Sequence, residues 1–194
     1  MAIEFELKFR GTAESIQQMN RAVSGETMEF AMETTYYDGV SGQLSAKKYT
    51  FRRRIENAIS VCTLKTPAGD NRRGEWEVEC DNIHKAVDLL MQMGAPEDLK
   101  ELTAQGIVAV CGAKFHRIAK TIQFDDAVLE LALDQGILMG GGRQIPLCEV
   151  EVELKSGEPE QAEQYAKILA TKFGLQPEPH SKFRRAFDLY KGEI

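Results

Sequence analysis

Charged and apolar residues alternate along several short segments of this chain. In EFELK, at residues 4–8, the charged positions are Glu4, Glu6 and Lys8. A similar segment, EVEVELK, covers residues 149–155 near the other end of the chain. Because alternate residues of a β-strand point to the same face, each segment predicts a strand with one charged face and one apolar face.

The charges on these faces separate by sign, and each sign favours a different ligand. Neighbouring carboxylates repel each other, and a hard divalent cation such as Mg²⁺ would relieve that repulsion. Rows of arginine and lysine favour an oxyanion, since arginine binds phosphate oxygens in a bidentate fork. The acidic rows are Glu4 and Glu6, then Glu75 with Glu77 and Glu79, then Glu130 with Asp134, then Glu149 with Glu151 and Glu153. The basic positions that stand against them are Arg52, Arg54, Lys65, Arg117 and Lys182.

A single charged strand face is most simply explained as a solvated surface, with cross-strand Glu–Lys pairs accounting for the composition. The repetition of the pattern on several strands favours a functional interior instead. Alternate residues on a strand lie about 6.6 Å apart, so a strand displays a ladder of side chains along an extended ligand. Strands that close into a barrel with their charged faces inward would form a polar tunnel, and amphipathic helices would cover the apolar outer faces.

Length, charge and cysteine usage limit the classes of protein. We expect a single domain over residues 1–194, with net charge −6 arguing against a non-specific nucleic-acid binder. The basic clusters KKYTFRRR, NRRG and SKFRRA instead suggest a small anionic ligand held in a defined place. No apolar run reaches the length of a membrane span, and no signal-peptide pattern opens the chain. Four cysteines without a CxxC pair favour reduced thiols in a cytoplasmic protein. The oligomeric state is left open, a dimer included.

Strand and helix patterns share the chain, and many strands with short turns and few helices favour a mostly antiparallel sheet or barrel with helices outside it. The period-two segments predict strands at 2–10, 27–37, 47–57, 59–66, 72–80, 113–124, 126–134 and 143–155. Helical spacing predicts helices at 12–23, 82–93, 97–105 and 159–173.

The order of several short motifs resembles the CYTH superfamily, whose members are also called triphosphate tunnel metalloenzymes. EFELK resembles the N-terminal ExExK signature of that family, and TTYYDGVSGQL resembles its TYYDT segment. FRRR is similar to LRxR, TLKT matches its counterpart, RRGEWEVE is similar to the RxE element, and FHR is similar to FxR. LALDQG resembles an Asp-x-Gly strand, CEVEVELKSG the late ExExELKxG strand, and SKFRRA the closing SKxxRG. The motifs run from residue 4 to residue 186, so the resemblance covers nearly the whole chain.

The resemblance implies an α+β fold, an eight-stranded antiparallel barrel whose hydrophilic tunnel binds triphosphate compounds with Mg²⁺ or Mn²⁺. The metal ligands that it implies are Glu4, Glu6, Glu151 and Glu153. The phosphate-binding and catalytic residues that it implies are Lys8, Arg52, Arg54, Lys65, Arg117 and Lys182, acting with the metal held by Glu4 and Glu6. Arg73 and Glu75 would orient the basic residues across the tunnel, and Arg185 would complete the substrate-binding set.

Two details of side-chain direction follow from strand parity and from packing. The triple arginine run allows two registers, and we place Arg52 and Arg54 inside because Phe51 and Ile55 should share the outer face. Phe115 is interpreted as outer-face packing beneath a helix.

The resemblance leaves three activities open, from different classes. The late ExExELKxG strand favours an inorganic triphosphatase, which releases phosphate and diphosphate. A class IV adenylate cyclase, which makes cyclic AMP from ATP, shares the early motifs, and thiamine triphosphatase is a variant of the first activity. A non-catalytic module that binds polyphosphate is less favoured, because binding alone needs fewer carboxylates.

Overall fold

The computed structural model describes residues 2–69 and 72–194, and it describes their side chains except those of residues 2–4 and 72. Its strands are β1 (Ala2–Arg10), β2 (Glu26–Gly39), β3 (Thr50–Glu56), β4 (Ile59–Pro67), β5 (Arg72–Glu79), β6 (Ile107–Phe124), β7 (Ala127–Gly140), β8 (Arg143–Ser156) and β9 (Gln176–Pro177). Its helices are α1 (Ala13–Ala22), α2 (Gln43–Ala46), α3 (Ile83–Gln92), α4 (Asp98–Thr103), α5 (Pro159–Phe173) and α6 (Lys182–Lys191).

The strands form one antiparallel sheet in the order β5-β4-β3-β2-β6-β7-β8-β1-β9. Strand β1 has two long neighbours, because Glu6–Arg10 pair with β8 whereas Ala2–Phe5 pair with β5. The two ends of the eight-stranded order therefore meet through β1, and the strands share one interior. The predicted α+β fold, with eight long antiparallel strands and helices against them, is confirmed.

Two helices cover the outer face of β1, β7 and β8. On β7, the outward residues Leu129, Leu131 and Leu133 are almost fully buried. They belong to one core with Met19 of α1 and Ala166 of α5. Inward residues of the same strand alternate with them, so burial of the leucines fixes which side chains of β7 face the interior.

A second outer core lies beneath α2, α3 and α4. Phe51, Leu64 and Trp76 contribute from β3, β4 and β5, and they pack with Leu90 of α3 and Leu99 of α4. Phe51 is fully buried in this outer core, which fixes the register of β3.

Helix α6 departs from the predicted arrangement, because it packs against inward-facing side chains. Tyr36 of β2, Leu138 of β7 and Leu147 of β8 form a core with Ala186 and Leu189 of α6. The interior is therefore charged along part of its length and apolar where α6 fills it. The expectation that every apolar face points outward is wrong for this end of the sheet.

Glycine allows the helix to approach β7 closely. A Cβ atom on Gly140 would collide with the backbone carbonyl of Ala186. No side chain fits between the strand and α6 at this point.

The predicted strands and helices recur within a few residues, apart from two regions. Strand β6 begins at Ile107 and β7 continues to Gly140, so both are longer than predicted. The short elements α2 and β9 and the helix α6 were not predicted. Helix α6 begins after Ser181, whose side chain accepts a hydrogen bond from the Arg184 backbone N–H.

Among the helices of the described residues, none combines the length and apolar character needed to cross a membrane.

Candidate active site

A cavity of about 290 Å³ lies in the charged part of the interior. All eight long strands and α6 contribute to it, and fifteen of its nineteen lining residues are charged, eight basic and seven acidic. The predicted charged interior is therefore present. The lining residues are Glu6, Lys8, Tyr36, Thr50, Arg52, Arg54, Glu56, Lys65, Arg73, Glu75, Glu77, Arg117, Glu130, Glu151, Glu153, Lys155, Ser181, Lys182 and Phe183.

Most of the site residues that the sequence singled out line this cavity together. Arg185 lies behind the cavity wall, where it forms an ion pair with Glu149. The side chain of Glu4 lies outside the described residues, although its backbone pairs with that of Arg73. The remaining predicted residues, all in the lining, are Glu6, Lys8, Arg52, Arg54, Lys65, Arg73, Glu75, Arg117, Glu151, Glu153 and Lys182.

One wall of the cavity is a buried network of ion pairs. Arg117 donates two hydrogen bonds of 2.7 Å to Asp134 and another to Glu151. Lys182, at the first turn of α6, contacts Asp134 at 2.8 Å and Glu151 at 2.7 Å, and it also contacts Glu149. Helix α6 thus brings a cation to carboxylates that two neighbouring strands present. We call this cluster of six residues, completed by Arg185, the ion-pair network.

The carboxylates of the ion-pair network lie close enough together to suggest a metal site. Oxygen atoms of Asp134, Glu149 and Glu151 lie within 4.8 Å of one another. However, three cations contact these three carboxylates, so the cluster is already neutralised, and a metal would have to displace Lys182 or Arg117. The cluster therefore fits a role in holding those two cations better than a role in holding a metal.

The titration behaviour of the network reflects burial and these contacts. Burial opposes ionisation of Glu151, but Lys182 and Arg117 outweigh it and hold the pKa of Glu151 well below its usual range. Burial raises the pKa of Glu149 to about 7, although Lys182 and Arg185 act against the rise. Burial would lower the pKa of Lys182, but Asp134 and Glu149 more than offset it and raise that pKa.

A row of three glutamates crosses the cavity on adjacent strands. Glu6 of β1 pairs directly with Glu153 of β8, and Glu153 pairs directly with Glu130 of β7. Like charges directly opposite each other on a sheet destabilise it. Lys8 lies 2.9 Å from Glu6, and Lys155 lies 2.8 Å from Glu153 and 3.6 Å from Glu130. We call Glu6, Glu130 and Glu153 the glutamate row, and their carboxylate oxygens are of the kind that a hard divalent cation prefers.

The wall formed by β3 and β4 is basic, and we call Arg52, Arg54 and Lys65 the basic wall. Arg52 and Arg54 face the cavity, whereas Arg53 points outward and donates a 3.0 Å hydrogen bond to the Asp81 carbonyl oxygen. Lys65 lies 3.4 Å from Glu75. Parity therefore places the first and third arginines of the run inside.

Arg54 is held differently from the cations of the ion-pair network. Its side chain is 7% exposed, and its Nε donates a 3.0 Å hydrogen bond to the Thr34 hydroxyl. A carboxylate oxygen of Glu56 lies 3.7 Å from Nη1 of Arg54. Burial, followed by the neighbouring charges of Arg52 and Arg117, lowers the pKa of Arg54 to about 10. This guanidinium is therefore under-compensated, and an anion in the cavity would stabilise it.

Residues 2–187 match the family model described as the CYTH domain. The chain belongs to the CYTH domain family. A curated relative, an inorganic triphosphatase of Haemophilus influenzae, is 25% identical over 166 residues, which cover 84% of this chain and 47% of the relative. The chain thus spans about half the length of that relative.

Solved structures of similar proteins share the fold of this CYTH domain. PH1819 of Pyrococcus horikoshii is 22% identical with a TM-score of 0.64, covering 98% of this chain and 99% of that one. HpAC1 of Hippeastrum, described as a proposed adenylyl cyclase with a dominant triphosphatase activity, is 18% identical with a TM-score of 0.63, covering 100% and 96% of the two chains. At these identities the likeness shows the fold alone.

The CYTH domain also contains site residues that the sequence interpretation missed. Glu130 was recognised as part of an acidic row, but strand spacing alone did not place it opposite Glu153. Phe115 was expected on the outer face, and this expectation is wrong, because Arg54, Arg117 and Lys182 all lie over its ring. The available signal was parity, since Phe115 precedes Arg117 by two residues on one strand.

Behind the network, a buried glutamate anchors the segment before α6. Glu178 accepts hydrogen bonds of 2.7 and 3.0 Å from Arg10 and one of 3.0 Å from the His180 backbone N–H. It also lies 3.5 Å from Arg185. Burial would raise the pKa of Glu178, but Arg10 and the His180 N–H outweigh it and lower that pKa. Nothing in the local sequence pattern distinguished Glu178 from other charged loop residues.

Proposed function

We propose that this protein hydrolyses inorganic triphosphate, or a closely related triphosphate compound, to phosphate and diphosphate in the charged cavity. The observation that carries the proposal is the opposition of the basic wall and the glutamate row across one cavity. A polyphosphate needs several cationic donors along its length, and it needs divalent cations to neutralise its remaining charge. The curated triphosphatase relative supports the same activity.

The cavity suits an inorganic polyanion better than a nucleotide. Among the described lining residues, the aromatic side chains are Tyr36 and Phe183, and their ring centroids lie 5.2 Å apart in a tilted contact with each other. Pockets for organic ligands are lined mainly by apolar and aromatic side chains, whereas fifteen of the nineteen residues that line this cavity are charged. This observation favours a triphosphatase over the adenylate cyclase alternative.

The carboxylates of the glutamate row have the chemistry of a divalent metal site, although among the described residues the acidic groups that lie within 4.8 Å of one another are Asp134, Glu149 and Glu151. Glu6, Glu130 and Glu153 would hold Mg²⁺ or Mn²⁺, together with Glu4, which the family resemblance implies as a metal ligand. Glu151, which the resemblance also implies as a ligand, is in contact with Arg117 and Lys182, so we propose it chiefly as their anchor. A bound divalent ion supplies charge neutralisation of phosphate oxygens and a more acidic water.

The protein's own side chains would bind and orient the substrate. Arg52, Arg54 and Lys65 would donate hydrogen bonds to phosphate oxygens along the basic wall, and Lys182 and Arg117 would do so from the opposite side. Water adds to the terminal phosphorus as the bond from that phosphorus to the bridging oxygen breaks. Cations fixed before the reaction then stabilise the charge that develops on the diphosphate leaving group. Lys8 and Arg73 would complete the substrate contacts.

A substrate panel tests the proposal. Phosphate release would be measured from inorganic triphosphate, ATP and thiamine triphosphate with Mg²⁺, with Mn²⁺ and with a chelator. We expect fast, metal-dependent release from inorganic triphosphate and little from the other two compounds. Formation of cyclic AMP and diphosphate from ATP, without release from triphosphate, would overturn the proposal in favour of a cyclase. If no product formed from any of the three compounds, a non-catalytic binding module would be favoured.

A further inference from the structure

Three cations that face the cavity surround one aromatic ring. The Arg54 guanidinium carbon lies 5.7 Å from the centroid of Phe115, that of Arg117 lies 5.8 Å away, and Lys182 Nζ lies 5.4 Å away. These cations come from β3, β6 and α6, so the ring is the common point of three separate elements. Each distance is within the range of a cation–π interaction, about 6 Å.

The Phe115 side chain is buried, and the neighbouring strand β7 approaches it closely. Phe115 is 5% exposed, and the residue opposite it on β7 is Gly136. A Cβ atom on Gly136 would lie 2.6 Å from the Cβ of Phe115. The absence of a side chain at Gly136 therefore allows β7 to approach the backbone of β6 closely at Phe115.

An aromatic ring attracts cations without accepting their hydrogen bonds, which a carboxylate does accept. A carboxylate would form ion pairs with their N–H groups and would compete with phosphate oxygens for them. The negative face of the ring attracts a cation without occupying its hydrogen-bond donors, because the N–H groups of a guanidinium lie in its own plane. Arg117 and Lys182 already contact carboxylates, so the ring matters most for Arg54, whose Glu56 neighbour lies 3.7 Å away. There the ring can offset part of the repulsion from Arg117 and Lys182 while the remaining guanidinium N–H groups stay available to an anion.

We propose that Phe115 is a positioning residue for phosphate binding, with its ring face holding Arg54, Arg117 and Lys182 together for a polyphosphate anion. This inference rests on the proposed function, since it assumes that the cavity binds a polyphosphate. The competing interpretation is that Phe115 only fills the apolar core around α6, to which it also belongs.

Graded fluorination of the ring separates these two interpretations. Phe115 would be replaced with 4-fluoro-, 3,5-difluoro- and 3,4,5-trifluorophenylalanine, which weaken the negative ring face in steps with little change in size. The dissociation constant for inorganic triphosphate would be measured by calorimetry in the presence of a chelator, so that turnover does not interfere. The matched control is the same series at Phe124, which lies on the same strand and contacts Tyr165 at 5.2 Å.

We expect the logarithm of the dissociation constant to rise in steps with fluorination at Phe115, reaching about tenfold weaker binding for the trifluoro ring. We expect no trend at Phe124 and no matching trend in melting temperature at Phe115. Unchanged binding across the Phe115 series, with triphosphate still bound by the natural protein, would overturn the inference and leave the proposed function intact. If the natural protein bound no triphosphate here and also released no phosphate from it with Mg²⁺, the proposed function would fail first.

Discussion

Arg117 and Arg54 face the same cavity and are held in opposite ways. Arg117 contacts both Asp134 and Glu151, and these carboxylates outweigh burial and raise its pKa well above the usual value. Arg54 has a threonine hydroxyl at 3.0 Å and a more distant carboxylate, and its pKa falls to about 10. The charge of Arg117 is thus compensated within the ion-pair network, whereas that of Arg54 is compensated less, which supports the proposed role of Arg54 in binding an anion.

The largest expected effect comes from breaking the ion-pair network. Replacing Arg117 with methionine leaves Asp134 and Glu151 buried, with only part of the positive charge that neutralises them in the natural protein. Removal of one partner from a buried pair costs about 3–5 kcal/mol, so we expect Arg117→Met to lower the free energy of unfolding by that amount. Chemical denaturation measures it, and Arg53→Met on the outer face is the control, with an expected loss below about 1 kcal/mol. Equal losses in the free energy of unfolding of both variants would mean that Arg117 in the ion-pair network stabilises the fold no more than Arg53 on the outer face does.

Replacement of Arg54 on the basic wall should have the opposite effect, with little loss of stability and a large loss of activity. Arg54→Met removes a buried charge that lacks a close carboxylate, so the free energy of unfolding should stay within about 1 kcal/mol of its original value. Turnover of inorganic triphosphate should fall by about a hundredfold or more, because a fixed donor to the transition state is lost. Denaturation and phosphate release are measured on one preparation. A stability loss as large as that of Arg117→Met would contradict the comparison.

A change in the glutamate row should alter the requirement for Mg²⁺. Glu130→Gln removes one of three carboxylates that face one another across β7, β8 and β1. We expect the Mg²⁺ concentration for half-maximal activity to rise about tenfold, since a neutral amide is a weaker ligand for a hard cation. Glu33→Gln is the matched control, because Glu33 is an exposed outer-face glutamate paired with Lys114 at 3.0 Å. An unchanged requirement for Mg²⁺ would exclude Glu130 from the metal site.

The smallest effect is expected at the anchor of α6, and it depends on pH. The pKa of Glu178 in the folded protein lies below its ordinary value of 4.5. The ionised form is therefore favoured by folding, and its contribution is present above pH 4.5 and lost as the pH falls through the folded pKa. We expect Glu178→Gln to lower the free energy of unfolding by about 1 kcal/mol at pH 7, because Arg10 is largely exposed. The difference from the natural protein should shrink below pH 4.5, and a difference that grew on acidification would contradict the assignment.

The sequence predicted the parts of the fold that depend on local periodicity. Alternation along EFELK and EVEVELK places Glu6 and Glu153 on one face of their strands, and the structure brings both to the cavity. Parity and the outward burial of Phe51 similarly place Arg52 and Arg54 inside.

The parts that the sequence did not predict depend on contacts between distant segments. The pairing of Glu130 with Glu153 is a matter of cross-strand register, which no single segment encodes. The position of α6 inside the sheet depends on apolar inward residues of β2, β7 and β8 that lie far apart in the chain. Phe115 was misassigned because an aromatic residue on a strand is usually explained by outer-face packing, and the cations over its ring come from three elements.

The most direct test of the whole account is to measure metal binding and phosphate binding separately. Mn²⁺ binding would be followed by the spectroscopic signal of the free ion without phosphate, and triphosphate binding by calorimetry with a chelator. The natural protein would be compared with Glu153→Gln and Arg54→Met. We expect Glu153→Gln to weaken Mn²⁺ binding about tenfold and to retain triphosphate, and Arg54→Met to do the reverse. If both variants weakened both ligands equally, the division between the glutamate row and the basic wall would be wrong.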